Sequence, residues 1–207
     1  MPVMQVSKFW YFSMKNSMYN EHASDYARVI KDNSFNAHFE RPSLLSLLPE
    51  LQGKSVLDLG CGPGEYFEFF LNEKCSHITA VDVSQSMIKI VKERYGTNIN
   101  SYKQNLNMGI PKEKDSIFDL VVSSLTIHYI KNISFLFKEV YRVLKKNGLL
   151  AMLHPLTFMY IKTFEGVRKF ILSKTNINLL AELGLGGVFA NSDVQVDVYK
   201  IIYDWLI

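Results

Sequence analysis

Residues 56–66 read Val-Leu-Asp-Leu-Gly-Cys-Gly-Pro-Gly-Glu-Tyr, an apolar run that carries one acid and ends in three alternating glycines. Gly60, Gly62 and Gly64 have no Cβ atoms to block a sharp turn, so backbone N–H groups can come against a ligand where a helix then begins at Glu65. A second apolar run, His77–Val81, ends in Asp82, 22 positions after Gly60. An acid at that strand end can accept from both hydroxyls of a bound ribose, one per carboxylate oxygen. Asp58 lies mid-strand among apolar neighbours, where an unpaired charge is costly. It either accepts from loop N–H groups or faces a cation of the ligand. The residue types are those of a nucleoside-containing cofactor site. Their G-x-G-x-G spacing departs from the G-x-G-x-x-G of nicotinamide dehydrogenases, although an acid about 20 residues on is common to both.

Such a site needs parallel strands that end at one edge, and the chain has the pattern for them. From Ser55 onward, strand-like and helix-like segments alternate, which argues for βαβ units and a doubly wound α/β sheet with helices on both faces. Strands are expected near 55–59, 77–82, 99–103, 118–123 and 148–153, with helices near 65–72, 85–95 and 133–145. Ser84 caps the second of these helices and Gly96 ends it, while Ile133, Leu136, Phe137, Val140 and Leu144 form one apolar stripe on the third. Before the sheet, Tyr19, Ala23, Tyr26, Ala27 and Ile30 fall at helical spacing, so an amphipathic helix is expected over 19–31, broken by Asp32-Asn33-Ser34. A further helix starts near Pro42 and stops at Pro49. In the tail, helices are expected over Phe158–Leu172 and Asn178–Leu183, a loop over Gly184–Gly187, and one clear strand at 193–201.

Segment 56–66 resembles motif I of the class I S-adenosylmethionine (SAM) dependent methyltransferases, and the resemblance runs from about Met18 to Pro155. Ile117–Ser124 looks like the family's fourth strand, and Arg142–Leu150 like the turn into its fifth. Tyr19–Tyr26, Asn36–Pro42, Ile127–Ile130 and His154-Pro155 resemble signatures of its ubiquinone/menaquinone-biosynthesis-like branch of small-molecule methyltransferases. The resemblance implies a Rossmann-like core at 51–155, an N-terminal helical lid at 1–50, and a divergent C-terminal part of the same domain at 156–207. The family has two strands after its fifth, where this tail offers one candidate. Asn105-Leu106 also stands where relatives often have Asp-Ala or Asn-Ala.

The resemblance further implies SAM as methyl donor and a site built from the glycine turn (Gly60, Cys61, Gly62, Gly64), Asp58 and Asp82. Val83 and Met87 would lie near the adenine, although a Met on a helix face is more often core. Asn105 is expected to read the adenine edge, with Leu106 beside the ring; a loop Asn satisfying its own backbone is the rival reading. Ser124 would meet the methionine part through its backbone, and Tyr19 is the lid tyrosine better placed to reach the cofactor. Arg41 pairs either with the cofactor's carboxylate or with a nearby acid. No catalytic residue is assigned. His128 and His154 follow the fourth and fifth strands and are candidates to touch substrate, against the commoner structural role of a lone histidine.

Composition bounds the rest. The 207 residues are 48% apolar and 21% charged, an ordinary globular balance. A net charge of +3 with no basic stripe gives no support for a nucleic-acid substrate. No segment has the apolar length of a membrane span, and none groups His, Cys, Asp and Glu at metal-ligand spacing. Two cysteines, one inside the glycine turn, suit a reducing cytoplasm. The expected function is methyl transfer to a small-molecule acceptor. The alternatives are a non-catalytic SAM- or nucleoside-binding protein, or a decayed enzyme, and then a nicotinamide-dependent oxidoreductase. The sequence gives neither the acceptor nor the oligomeric state.

Overall fold

A computed structural model describes residues 18–34, 36–155, 175–185 and 197–205. Its centre is a seven-stranded sheet. The first five strands are β1 (Ser55–Leu59), β2 (His77–Asp82), β3 (Asn100–Lys103), β4 (Phe118–Ser124) and β5 (Leu144–Pro155). They pair in parallel in the order β3-β2-β1-β4-β5, and β7 (Asp197–Trp205) and then β6 (Thr175–Leu185) extend the β5 edge antiparallel. The helices are α1 (Ala23–Asp32), α2 (Arg41–Leu45), α3 (Phe67–Asn72), α4 (Gln85–Tyr95) and α5 (Ile133–Val143), with a π-helical turn at Asn36–Glu40 between the first two.

Parallel strands buried on both faces need apolar side chains on both, and β1 is buried at all five positions. Leu57 and Leu59 face one core layer with Val121, Met152 and the α5 stripe of Ile133, Leu136, Phe137 and Val140. Val56, Ala80, Leu120, Val122 and Leu153 face the other, beneath Leu44, Phe67, Phe70, Ile88 and Val91. Helices therefore lie on both faces. Ser84 caps α4 by accepting from Met87 N at 3.2 Å, and Gly96 ends that helix at φ 56°.

The chain departs from its sequence pattern at several elements, and β5 already begins at Leu144, where helix to 145 and strand only from 148 are expected. Residues 61–66 coil through the glycine turn, so α3 begins at Phe67 rather than at Glu65. The N-terminal helix runs from Ala23, after a separate helical turn at Met18–Asn20, and α2 ends at Leu45, short of Pro49. The helix expected at Asn178–Leu183 is instead part of strand β6, which also takes in Gly184 and Leu185. Its backbone pairs with β7 from Thr175↔Trp205 to Leu185↔Asp197, and this non-local pairing overrides a weak local helical pattern. The last strand lies at Asp197–Trp205, shifted from the expected 193–201, so two strands follow β5 where the sequence shows one. The expected helix at Phe158–Leu172 lies outside the described residues.

Phe137 is 1% exposed and sits at the middle of the α5 stripe. Phe137→Ala should lower unfolding free energy by about 3–5 kcal/mol in urea titration, the usual cost of emptying a large aromatic site in a core.

Candidate functional site

The five parallel strands end at one edge, where an open α/β sheet binds ligands. β1 feeds the glycine turn there, and Asp82 closes β2 beside it. Asp82 Oδ2 accepts from Gly62 N at 2.9 Å and Oδ1 from Ser84 N at 2.8 Å, so one carboxylate ties the turn to the start of α4. Gly60 N and Cys61 N both donate to Val81 O, at 2.8 and 3.0 Å, and Gly64 N donates to Cys61 O at 3.1 Å. The N–H groups of the turn residues Gly60, Cys61, Gly62 and Gly64 are thus engaged within the protein, whereas the sequence pattern suggests N–H groups directed at a ligand.

The three glycines have different reasons. All have φ in the left-handed region, at 76°, 52° and 88°. A Cβ on Gly60 would lie 2.2 Å from Thr126 Oγ1, and one on Gly64 would lie 2.6 Å from the Phe67 ring. A Cβ on Gly62 would meet nothing within 4 Å. Gly60 and Gly64 thus serve close packing, and Gly62 faces open space.

Asp58 is 2% exposed, and its Oδ2 has no hydrogen-bond partner among the described residues. Burial, with the neighbouring charges of Asp82 and Glu40, pushes its carboxyl up to about 8. Of the two readings of Asp58, satisfaction by loop N–H groups gets no support at this oxygen. Burial also raises Asp82 above the usual carboxylate range, against the opposing pull of the N–H groups of Ser84, Gly62 and Val83.

The N-terminal segment crosses this edge. Ser84 Oγ donates to Tyr19 O at 2.6 Å, and the Tyr19 and Tyr26 rings meet edge to face at 5.1 Å. Burial pushes the Tyr26 hydroxyl up to about 12, helped by Tyr129, Glu40, Asp82 and Glu65 nearby. Arg41 reaches Glu65 Oε2 at 3.6 Å and donates to Ile30 O at 3.2 Å, so a protein acid lies within its reach. Glu65 is held on its other side by Arg94 at 2.7 Å.

The other expected residues lie in differing surroundings. Met87 and Leu106 are 0% and 5% exposed; for Met87 this is the core packing that competed with adenine contact. Asn105 Oδ1 accepts from Asn107 N at 3.0 Å and caps a short turn, the local role that competed with adenine recognition. Val83, in contrast, is 56% exposed beside Asp82. Ser124 Oγ donates to Glu40. His128 follows β4 in a short turn with its ring 4.0 Å from that of Tyr129, and the backbone of His154 pairs with Tyr199 at the same edge of β5. Glu40 was missed as a site residue. It is 3% exposed and accepts from both Tyr66 and Ser124, yet only its place in the Asn36–Pro42 signature marked it in the sequence.

Comparison with known proteins gives the family and the fold. The methyltransferase domain family model matches residues 57–152. A demethylmenaquinone methyltransferase of Lactococcus lactis is 31% identical over 200 residues, covering 91% of this chain and 71% of the relative. A malonyl-[acyl-carrier protein] O-methyltransferase of Legionella pneumophila is 31% identical over 150 residues, covering 70% of this chain and 51% of the relative. The fold is similar to that of a SAM-dependent methyltransferase from Aquifex aeolicus, with a TM-score of 0.67 at 18% identity over 89% of this chain and 98% of that one. The chain spans about half the length of several curated relatives it matches, from 50% to 52%.

The Asp58 environment sets a pH dependence. Its carboxyl is at about 8 in the folded chain, against about 3.9 when unfolded, so between these values the folded state binds more protons. Stability should therefore fall as pH rises from about 4 to about 8. Asp58→Asn should flatten that slope, as read from urea midpoints at pH 5 and pH 8. Parallel slopes for the two proteins would show that Asp58 is not the titrating group.

Proposed function

We propose, from the premise that this chain belongs to the class I SAM-dependent methyltransferases, that it binds SAM at the carboxyl edge of its sheet and methylates a small-molecule acceptor. One observation carries the placement: a buried, unpartnered Asp58 Oδ2 lies beneath a glycine turn whose Gly62 faces open space. A buried carboxylate oxygen without a donor is costly, and a cationic group of a ligand would satisfy it. The residues fit SAM in this respect, because its ammonium suits Asp58 and its ribose suits the second lone pairs of the Asp82 oxygens. Exposed Val83 offers an apolar surface for the base, and the Asn105 amide nitrogen is a candidate for the base edge.

SAM supplies a methyl group on a sulfonium, a leaving group that is already activated. The protein's task is then to align the acceptor and exclude water. Tyr19 is tied to Ser84, and Tyr26 on α1 lies near Asp82 and Tyr129, which supports these three tyrosines as walls of the acceptor side. A base is needed only for an acceptor that is a poor nucleophile at neutral pH, and His128 and His154 are the candidates at the strand ends. The relatives named for malonyl-[acyl-carrier protein] and demethylmenaquinone support an acceptor of that small-molecule kind. Among the described residues no helix is long and apolar enough to cross a membrane, and Cys61 and Cys75 are free, which supports assignment to the cytoplasm. Turnover of methyl-labelled SAM in a metabolite extract separates this reading from that of a binding protein, which would retain S-adenosylhomocysteine and label nothing.

Calorimetry should show binding of SAM and S-adenosylhomocysteine and none of NAD; the reverse would sink the cofactor assignment. Asp82→Ala should weaken S-adenosylhomocysteine by about 2–4 kcal/mol, roughly 30- to 1000-fold. It should also lower the melting temperature, because Gly62 N and Ser84 N lose their acceptor. Gly62→Ala places a methyl in open space at φ 52°, at a cost of about 1 kcal/mol in stability. It should keep a cooperative melt and lose most of the thermal shift given by S-adenosylhomocysteine. An undiminished shift would put the ligand away from the turn.

A further inference from the structure

Glu40 and Asp58 are the two buried acids among the described residues, and Glu40 comes from the strap between α1 and α2 rather than from the sheet. Burying a carboxylate there is unfavourable unless its partners compensate. Two hydroxyls do so at one oxygen: Tyr66, at the exit of the glycine turn, and Ser124, the last residue of β4. The next residue, Arg41, reaches Ile30 O on α1 and Glu65 beside Tyr66. Two consecutive strap residues thus grip the lid helix, the turn exit and a strand end.

The Ser124 end has its own tension. Leu125 has φ 50°, a region a leucine seldom occupies unless its surroundings hold it. Leu125 N donates to Leu153 O at 2.8 Å, and Thr126 Oγ1 donates to Ser124 O at 3.0 Å. Thr126 in turn packs against Gly60 so closely that no Cβ could fit there. A side chain that fixes Ser124 and Tyr66 together therefore acts on the glycine turn from both of its ends.

We propose that Glu40 is a positioning residue whose carboxylate fastens the 36–41 strap to Tyr66 and Ser124, and thereby sets the shape of the glycine turn against the end of β4 while holding α1 over the site. Its ligand readout rests on the SAM reading above; its exchange readout does not. A purely structural Glu40 would change stability without coupling the strap to the strand end.

The test uses the full chain with Glu40→Ala, Glu40→Gln, Ser124→Ala and Tyr66→Phe, amide hydrogen exchange without ligand, and calorimetry with S-adenosylhomocysteine. Glu40→Ala should raise exchange jointly at 36–41 and 124–126 and weaken S-adenosylhomocysteine roughly 10- to 100-fold. Glu40→Gln should recover most of that loss, because an amide oxygen still accepts both hydroxyls. Faster exchange confined to 36–41, unchanged affinity in Glu40→Ala, or no recovery in Glu40→Gln would each overturn the proposal. Should Glu40→Ala fail to fold, Ser124→Ala and Tyr66→Phe carry the test, each with a loss of roughly 3- to 10-fold; full affinity in both would overturn it. Should the unaltered chain bind no S-adenosylhomocysteine, the cofactor reading fails, and joint or separate exchange at 36–41 and 124–126 still decides the role of Glu40.

Discussion

The carboxylate of Asp82 ties together three pieces of chain at the carboxyl edge of the sheet. It accepts from Gly62 N and from Ser84 N, and so joins the glycine turn after β1, the end of β2 and the first turn of α4. The chain arranges the rest of the edge around that junction. Ser84, fixed by its N–H, caps α4 and donates its hydroxyl to Tyr19 O, which brings the N-terminal segment down onto the sheet. Arg94 and Tyr95, at the far end of α4, donate to Pro63 O and Gly64 O and steady the turn from outside. The N–H groups of Gly60, Cys61, Gly62 and Gly64 are turned inward, and Gly62 supplies the open part of the turn's shape.

Electrostatics at this edge work against the fold. Asp58, Asp82 and Glu40 share a small, largely dry region, and the two aspartates are each pushed toward protonation. Desolvation is the largest cause for both, and mutual repulsion adds to it for Asp58. Arg41 and Arg94 are directed at Glu65, outside that cluster, so they do not neutralise it directly. Positive charge brought to this edge would relieve the repulsion. Local destabilisation of this kind is tolerable because the two apolar layers on either side of the sheet are continuous and well buried.

Elsewhere the charged groups are paired conventionally and hold the opposite edge and the loops. Asp119 accepts from Ser55 and Lys145, and Arg142 bridges Glu139, Asp115 and two backbone carbonyls. These contacts hold the carboxyls of Asp119 and Glu139 below the usual range, the opposite of the shifts at the binding edge. The contrast separates groups that stabilise the sheet from groups that burden it.

The sequence by itself determined the parts governed by local chemistry. The apolar runs marked β1 at 55–59 and β2 at 77–82 to the residue, Ser84 and Gly96 bounded α4, and the apolar stripe marked α5. The glycines and acids around them marked the candidate edge, because strand ends and turn residues leave a short-range signature. Tertiary structure decided what depends on contacts between distant segments. Strand β6 exists because β7 offers it a backbone partner, which outweighs its helical pattern. Gly60 and Gly64 differ from Gly62 only through Thr126 and Phe67 packed against them. Met87, Leu106 and Asn105 were directed to core or capping roles by their neighbours. Glu40 reads as an ordinary surface acid in the chain, and it becomes a buried junction only because Tyr66 and Ser124, 26 and 84 residues away, bring their hydroxyls to it. Hydrogen bonds across such separations have no period or motif to announce them, so only the folded chain reveals them.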